Sequence, residues 1–362
     1  MTMNRLFTQL RLLLLLATAA QAGATPAVIA HRGASGYLPE HTLEAKALAY
    51  AMRPDYIEQD LVMTRDNRLI VLHDIYLEAV TNVAEKFPGR AREDGHFYVV
   101  DFDLDEIRQL RVSERFETTD AGTEPYFPGR FPVWQSAFSV HTFAEEIELI
   151  QGLNRTLGHD IGIYPEIKAP WHHRREGKDI ARATLEVLKR YGYGLGHRGK
   201  KHKTPQVLLQ SFDANELQRI RSGLMEEVGI DVPLVQLIAP SSWELAQEKV
   251  GDTWRNYEFE WMLTEEGMDR VATYADGIGP AAGLILPESE SLQGGQPPAA
   301  APWYRAAKNA GLTVHAYTFR ADQLPEGVPD FASLVKLFSD HLQVDGLFTD
   351  HPDKVREILK AD

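Results

Sequence analysis

The sequence contains no cysteine. That absence excludes disulfides, thiolate metal sites, iron–sulfur clusters and cysteine nucleophiles. Positive charge is also scarce: 38 Lys and Arg stand against 52 Asp and Glu, a net charge of −14. So large an acidic excess repels phosphate polymers, which argues against nucleic acid as a partner. Long apolar runs are lacking, which excludes a multi-span membrane protein. No GxGxxG or Walker-type loop follows any candidate strand, which disfavours a nucleotide-binding sheet. The rest is ordinary for a globular protein: 362 residues, 44% hydrophobic and 25% charged, enough for one large domain or two smaller ones.

Residues 1–24 read as a secretory signal peptide. Arg5 and Arg11 supply the positive region and Leu12 to Ala20 the short apolar run. Ala20-Gln21-Ala22 and Ala22-Gly23-Ala24 both offer the small residues of a cleavage site. The apolar run is about half the ~20 residues of a spanning helix, so no stable membrane anchor is expected. Secretion without cysteine points to a bacterial periplasm rather than a eukaryotic secretory lumen.

Downstream, short apolar runs alternate with helix-length segments. The candidate strands are 27–30, 56–62, 69–72, 161–167, 207–211, 234–238, 277–279, 313–317 and 346–349. The candidate helices are 42–52, 142–151, 179–191, 214–222, 303–310 and 331–342. Such alternation argues for a parallel sheet, and about eight units suggest an α/β fold of the TIM (β/α)8 barrel type. A doubly wound open sheet is the alternative. Residues 75–141 break the rhythm, with weak periodicity and many Pro, Gly, Asp and Arg. They read as an insertion, after the early strands, within one barrel domain spanning 25–362. One short helix is expected within it, starting at Asp103-Leu104-Asp105-Glu106. The insertion is either a cap over the site or decoration.

In a barrel, active residues stand at the C-terminal ends of the strands. The first candidate strand runs into His31-Arg32-Gly33, and the second carries Glu58-Gln59-Asp60. The next run ends in His73-Asp74, and the strand near 165 carries Glu166-Ile167-Lys168. Side chains at i and i+2 share a face, so Glu58 projects with Asp60, and Glu166 with Lys168. Two solvated acids on an amphipathic strand would explain Glu58 and Asp60 only poorly, because Tyr56, Ile57, Leu61 and Val62 surround them. An apolar strand buries charge only when it is paired or bound to metal. Glu58, Asp60 and Glu166 converging at a barrel mouth would repel one another, and one divalent cation would relieve the repulsion. Ligation by oxygen alone selects a hard ion, Ca²⁺ or Mg²⁺.

An unperturbed imidazole titrates at about 6.5, near working pH, so of His31 and His73 one could accept a proton while the other donates. A single such histidine is more often a hydrogen-bonded structural residue. Arg32 and Lys168 are cationic donors of the kind that clamp a phosphoryl group. Together these groups point to phosphodiester cleavage.

These residues resemble the glycerophosphodiester phosphodiesterase family, in particular its periplasmic bacterial branch. Residues 29–42, with His31-Arg32-Gly33 and Pro39-Glu40-His41-Thr42, are similar to the family's opening signature. Glu58-Gln59-Asp60, His73-Asp74 and Glu166-Ile167-Lys168 are similar to its following elements. Gln210-Ser211-Phe212, the run from His315 to Thr318 and the run from Asp345 to Pro352 resemble the later strand ends. The likeness covers 27–358. One departure is His41, where many members carry Asn; it is treated as a character of the branch.

The resemblance implies a TIM barrel with an inserted subdomain. It also implies hydrolysis of deacylated phospholipids, such as glycerophosphocholine and glycerophosphoethanolamine, to glycerol 3-phosphate and an alcohol. On the matching positions, Glu58, Asp60 and Glu166 would be metal ligands, with Ca²⁺ first and Mg²⁺ second. His31 and His73 would be the acid–base pair, and Arg32 and Lys168 would contact phosphate. Phe212 and Tyr317 could pack on the glycerol carbons, with Gln210 facing the same way; ordinary core packing is the alternative for the aromatics.

The first nucleophile could be water or the neighbouring glycerol hydroxyl, and which histidine is the base stays open. His172-His173-Arg174-Arg175 and the basic run from His197 to Lys203 are expected to be solvated loops. Residues 294–302 read as a flexible connection. Competing readings are a related barrel phosphodiesterase acting on intact lipid, phospholipase- or sphingomyelinase-like, and a secreted non-catalytic binding protein. The expected partner is a small-molecule substrate, and the oligomeric state is not legible.

Overall fold

A computed structural model of the chain describes residues 25–119, 122–195, 206–286 and 299–361. The signal-peptide segment, the basic run 197–203 and the first half of the connection 294–302 lie outside the described residues. The strands are β1 (Ala27–Ala30), β2 (Tyr56–Met63), β3 (Leu69–Val71), β4 (Phe116–Thr119), β5 (Gly122–Pro125), β6 (Gly162–Ile167), β7 (Leu209–Ser211), β8 (Leu234–Ile238), β9 (Gln247–Val250), β10 (Thr253–Asn256), β11 (Gly277–Pro280), β12 (Thr313–Phe319) and β13 (Gly346–Thr349). Eight of them pair in parallel in the order β1, β2, β6, β7, β8, β11, β12, β13, and β13 returns to β1. This is the TIM barrel, closed so that its eight strands leave no free edge.

One expected barrel unit is something else. Leu69–Leu72 does not join the barrel wall. After the turn at Asp66-Asn67, where Asn67 takes φ 60°, β3 folds back antiparallel on the end of β2, with Leu61 opposite Val71 and Met63 opposite Leu69. A short apolar run looks the same in either orientation, so the sequence could not separate the two. The Leu72 N–H donates to the Asp60 carbonyl at 3.0 Å, which returns the chain to the barrel mouth just before His73.

Period-2 alternation sorts the barrel strands. On β2 and β6, Ile57, Leu61, Ile163 and Ile167 pack outward under the helices. Tyr56 and Tyr164 turn inward, where with Ile29, Leu208, Val235 and Phe348 they form an apolar plug. Two residues further along the same inward faces come Glu58 and then Asp60 on β2, and Glu166 on β6. Asp60 stands in register with Glu166, and Glu166 with Gln210. The charged groups therefore form a layer directly above the plug.

The helices follow local signals. Helix Leu43–Ala51 is capped by Thr42, whose hydroxyl accepts from the Ala45 N–H at 3.2 Å. Helix Phe143–Leu157 starts with a capping box between Thr142 and Glu145. Segment 75–141 is not structureless. It builds a second apolar core in which Leu77, Val80, Phe97, Phe102, Ile107 and Val112 close over Val62, Ile70 and Leu72. Fully burying side chains of this size is worth roughly 1.5–3 kcal/mol each, which holds the segment on the barrel.

Candidate active site

A cavity of about 250 Å³ opens among the ends of the barrel strands. It is lined by His31, Arg32, Glu58, Asp60, His73, Glu166, Lys168, Gln210, Phe212 and Tyr317, all singled out from the sequence, and by Leu237, Trp243, Leu245, Thr318, Arg320 and Phe348.

The chain turns sharply after β1. Arg32 takes φ 58° and Gly33 φ 86°. A Cβ on Gly33 would lie 2.9 Å from the Ala45 carbonyl carbon, so only glycine lets this turn pack against the first helix. The turn aims the Arg32 N–H at Glu58 Oε2, 2.5 Å away. The Arg32 guanidinium donates to Glu40 at 2.9 Å and stands 3.7 Å from Asp60. Lys168 Nζ lies 3.0 Å from Glu166 and 3.8 Å from Asp60.

Glu58, Asp60 and Glu166 are all buried. Burial, reinforced by Asp60, pushes the Glu58 carboxyl well up from its ordinary range. Burial likewise pushes Glu166 up to about 8, with Asp60 adding to it and Lys168 opposing it. Against burial, Lys168 and the hydrogen bond from His41 hold Asp60 low. Asp60 Oδ1 is buried with no hydrogen-bond partner.

In the sequence His41 stands out only as a departure from the family pattern. It bonds Asp60 Oδ2 through Nε2 at 2.7 Å, and burial together with Lys46 pushes its pKa down to about 3. It is thus neutral and donates Nε2–H to the carboxylate. Ligand atoms of His41, Glu58 and Asp60 lie within 4.8 Å of one another and form a group that could hold a metal ion. Glu166 lines the same cavity but falls outside that tightest set. His41 has φ 59°, a conformation in which Asn and His are both enriched, and this gives the exchange between them a backbone reason.

Each cavity histidine leans on a carboxylate through Nδ1: His31 on Asp350 at 2.6 Å and His73 on Asp74 at 2.5 Å. Burial, aided by Arg32, pushes His31 down to about 4 and lowers His73 as well. Both are therefore neutral near pH 7, with Nε2 left for a ligand. The far wall is apolar. The rings of Phe212 and Tyr317 meet edge-on at 6.1 Å, and Trp243 stands 53% exposed at the rim. The Gln210 Oε1 is buried without a partner.

His172 and His173 do not lie on a solvated loop. They are buried in the short helix Pro170–Arg175, where His173 Nε2 accepts from the Met63 N–H at 3.0 Å and His172 stacks on Tyr98.

The model of the glycerophosphoryl diester phosphodiesterase family matches residues 31–354. The chain belongs to that family. It is a phosphoric diester hydrolase. It is 48% identical over 335 residues to a glycerophosphodiester phosphodiesterase of Haemophilus influenzae, covering 92% of this chain and 90% of the relative. It is 40% identical over 327 residues to one of Treponema pallidum, covering 90% and 89%. Among solved structures, a putative glycerophosphoryl diester phosphodiesterase from Silicibacter pomeroyi superposes with a TM-score of 0.62 at 20% identity, covering 93% of this chain and 94% of that one. An Oleispira antarctica phosphodiesterase solved with the product sn-glycerol-3-phosphate gives 0.56 at 21% identity, covering 93% and 97%.

Beyond the ten lining residues legible in the sequence, the geometry adds His41, Asp74, Asp350, Arg320, Arg115 and Arg130 to the candidate site. His41 and Asp350 lie inside the quoted motifs and Asp74 beside His73, so a signal for them existed. Arg115 and Arg130 come from the aperiodic insertion, and nothing local marks them.

Proposed function

We propose that this enzyme hydrolyses glycerophosphodiesters, deacylated phospholipids such as glycerophosphocholine and glycerophosphoethanolamine, to sn-glycerol 3-phosphate and an alcohol. One observation carries the reading: two neutral imidazoles, two cations and three buried carboxylates line a single cavity.

The donor set fits a hard divalent cation. Three buried acids face two cations, Arg32 and Lys168, and Asp60 Oδ1, 3.8 Å from the Lys168 ammonium, lacks a hydrogen-bond partner. Glu58, Asp60 and Glu166 would hold the ion, Ca²⁺ ahead of Mg²⁺, while His41 keeps Asp60 turned toward it. When bound, the ion supplies Lewis-acid neutralisation of the charge that builds on the phosphate oxygens. Arg32 and Lys168 grip the remaining oxygens. One of His31 and His73, neutral, takes the proton of the attacking hydroxyl on Nε2. The other must enter this step as the imidazolium, having taken up a proton beside the anionic phosphodiester, and gives its Nε2 proton to the departing alkoxide; the two exchange roles when water opens the product. The hydroxyl next to the phosphate on the glycerol is the favoured first nucleophile, because its fixed proximity is worth several kcal/mol. A cyclic phosphate then forms, and water opens it. Phe212 and Tyr317 support the glycerol carbons.

Purified protein incubated with glycerophosphocholine should release glycerol 3-phosphate, lose that activity in chelator, and regain it with Ca²⁺ or Mg²⁺. Phosphatidylcholine assayed in parallel should be a poor substrate. Preferred turnover of the intact lipid would overturn the substrate assignment, and full turnover in chelator would overturn the metal. Residues 1–24 motivate export to the periplasm, and mature protein from that fraction should begin after Ala22 or Ala24.

A further inference from the structure

Behind each cavity histidine stands a carboxylate, and behind each carboxylate an arginine that belongs to the insertion. Asp350 holds His31 through Oδ1; its Oδ2 accepts from Arg130 Nη2 at 2.7 Å and from Arg320 Nε at 2.8 Å. Asp74 holds His73 through Oδ1, and its Oδ2 accepts from Arg115 Nη1 at 2.7 Å. Arg115 also donates Nη2 to Glu40 Oε1 at 2.7 Å, and the other Glu40 oxygen takes Arg32. Arg130 spreads its remaining donors over Asp322 and the Ser35 carbonyl.

The two arginines flank one hairpin. Arg115 precedes β4, Arg130 follows β5, and the Tyr126 N–H donates to the Arg115 carbonyl at 2.9 Å to close its base. Both side chains are largely buried, at 17% and 4% exposure.

We propose that the insertion supplies two positioning residues, Arg115 and Arg130, which fix His73 and His31 through Asp74 and Asp350 so that each imidazole presents Nε2 to the cavity. This rests on the reading of the two histidines as the acid–base pair. A carboxylate with one oxygen on Nδ1–H sets the tautomer of the ring, but it can still swing about its own bond. A guanidinium anchored on a second group holds the other oxygen and removes that freedom. Arg115 does so from Glu40, and Arg130 from Asp322. The charges agree with the geometry. Against burial, Arg320, His31 and Arg130 hold Asp350 well below the usual carboxylate range, and His73 with Arg115 does the same for Asp74. Both remain acceptors at any working pH. Arg115 also steadies Arg32 through Glu40, so a single hairpin registers both proton-transfer groups and one phosphate contact.

The test is Arg115→Lys and Arg130→Lys in the full chain. Lysine keeps the charge, so the buried carboxylates stay neutralised, but it cannot bridge two groups at fixed angles. Each variant should lose about 10- to 100-fold in kcat on glycerophosphocholine, the range seen when a group orienting a functional side chain is removed. Arg92→Lys in the same insertion, whose arginine binds Asp101 and Glu176 away from the cavity, should keep wild-type kcat. In Asp350→Asn and Asp74→Asn backgrounds, adding the lysine should cost less than about threefold more, because the pairs act as units.

Unchanged kcat in both lysine variants, or losses that multiply with the Asp→Asn losses, would overturn the proposal. Should a variant not fold, imidazole ¹⁵N shifts of the wild-type enzyme still decide: protonation of His31 and His73 at Nε2 rather than Nδ1 overturns it. A wild-type enzyme without turnover, or active His31→Ala and His73→Ala enzymes, would instead remove the functional reading underneath.

Discussion

Lys46 is the residue whose replacement probes the support of the site most directly. It points from helix Leu43–Ala51 into the interior and is wholly buried. Its ammonium donates to the Glu58 carbonyl and lies 3.1 Å from Glu146 Oε1. Glu146, equally buried on helix Phe143–Leu157, also accepts from Gln59 at 2.8 Å and pairs with His141 at 2.7 Å. The network holds the middle of β2 from behind while Glu58 and Asp60 face the cavity.

Lys46→Met takes the ammonium away from the buried Glu146 carboxylate and leaves it only the His141 ring and the Gln59 amide, and breaking a buried pair this way costs about 3–5 kcal/mol. Lys46→Met/Glu146→Leu removes both charges together and should recover most of that loss, since apolar replacement of a whole buried pair is often neutral. Urea unfolding at pH 7 in chelator measures both. A Lys46→Met loss under about 1 kcal/mol, or a double variant no better than the single, would refute the argument.

The pH dependence follows with a definite sign. Against burial, Lys46 and His141 hold Glu146 down to about 2 from its ordinary 4.5. A depressed carboxyl stabilises the fold fully above its unfolded value, and that stability is lost as pH falls from 4.5 toward 2; here it amounts to roughly 3 kcal/mol. In Lys46→Met the acid limb of the stability curve between those values should flatten.

His31→Ala and His73→Ala should each lower kcat by about 10²–10⁴-fold while circular dichroism stays unchanged. Either variant at near wild-type rate removes that residue from the acid–base pair. Gly36→Ala should lower stability by about 1–3 kcal/mol through overpacking, because the added methyl meets the His351 ring. An unchanged melting temperature would show that the ring moves aside freely. Trp243→Ala, at the exposed rim, should raise KM for glycerophosphocholine and leave kcat and the melting temperature near wild type. A fall in kcat alone would contradict a substrate-contact role.

The sequence by itself determined the alternation of strands and helices, and with it a parallel sheet that favours a barrel over a doubly wound open sheet; the pairing of β13 with β1 decides for the barrel. It also determined which side chains share an inward face, because a strand repeats every two residues whatever surrounds it. Glu58 with Asp60, and His31 with Arg32 at a strand end, were legible for that reason. Only the tertiary structure decided that Leu69–Val71 folds back as a hairpin, since a short apolar run carries no direction. It alone joined His41 to Asp60, and Arg115 and Arg130 to Asp74 and Asp350. Arg130 and Asp350 stand 220 residues apart, and His31 and Asp350 stand 319 apart. No local pattern encodes contacts at such separations; barrel closure, which brings the last strand beside the first, creates them.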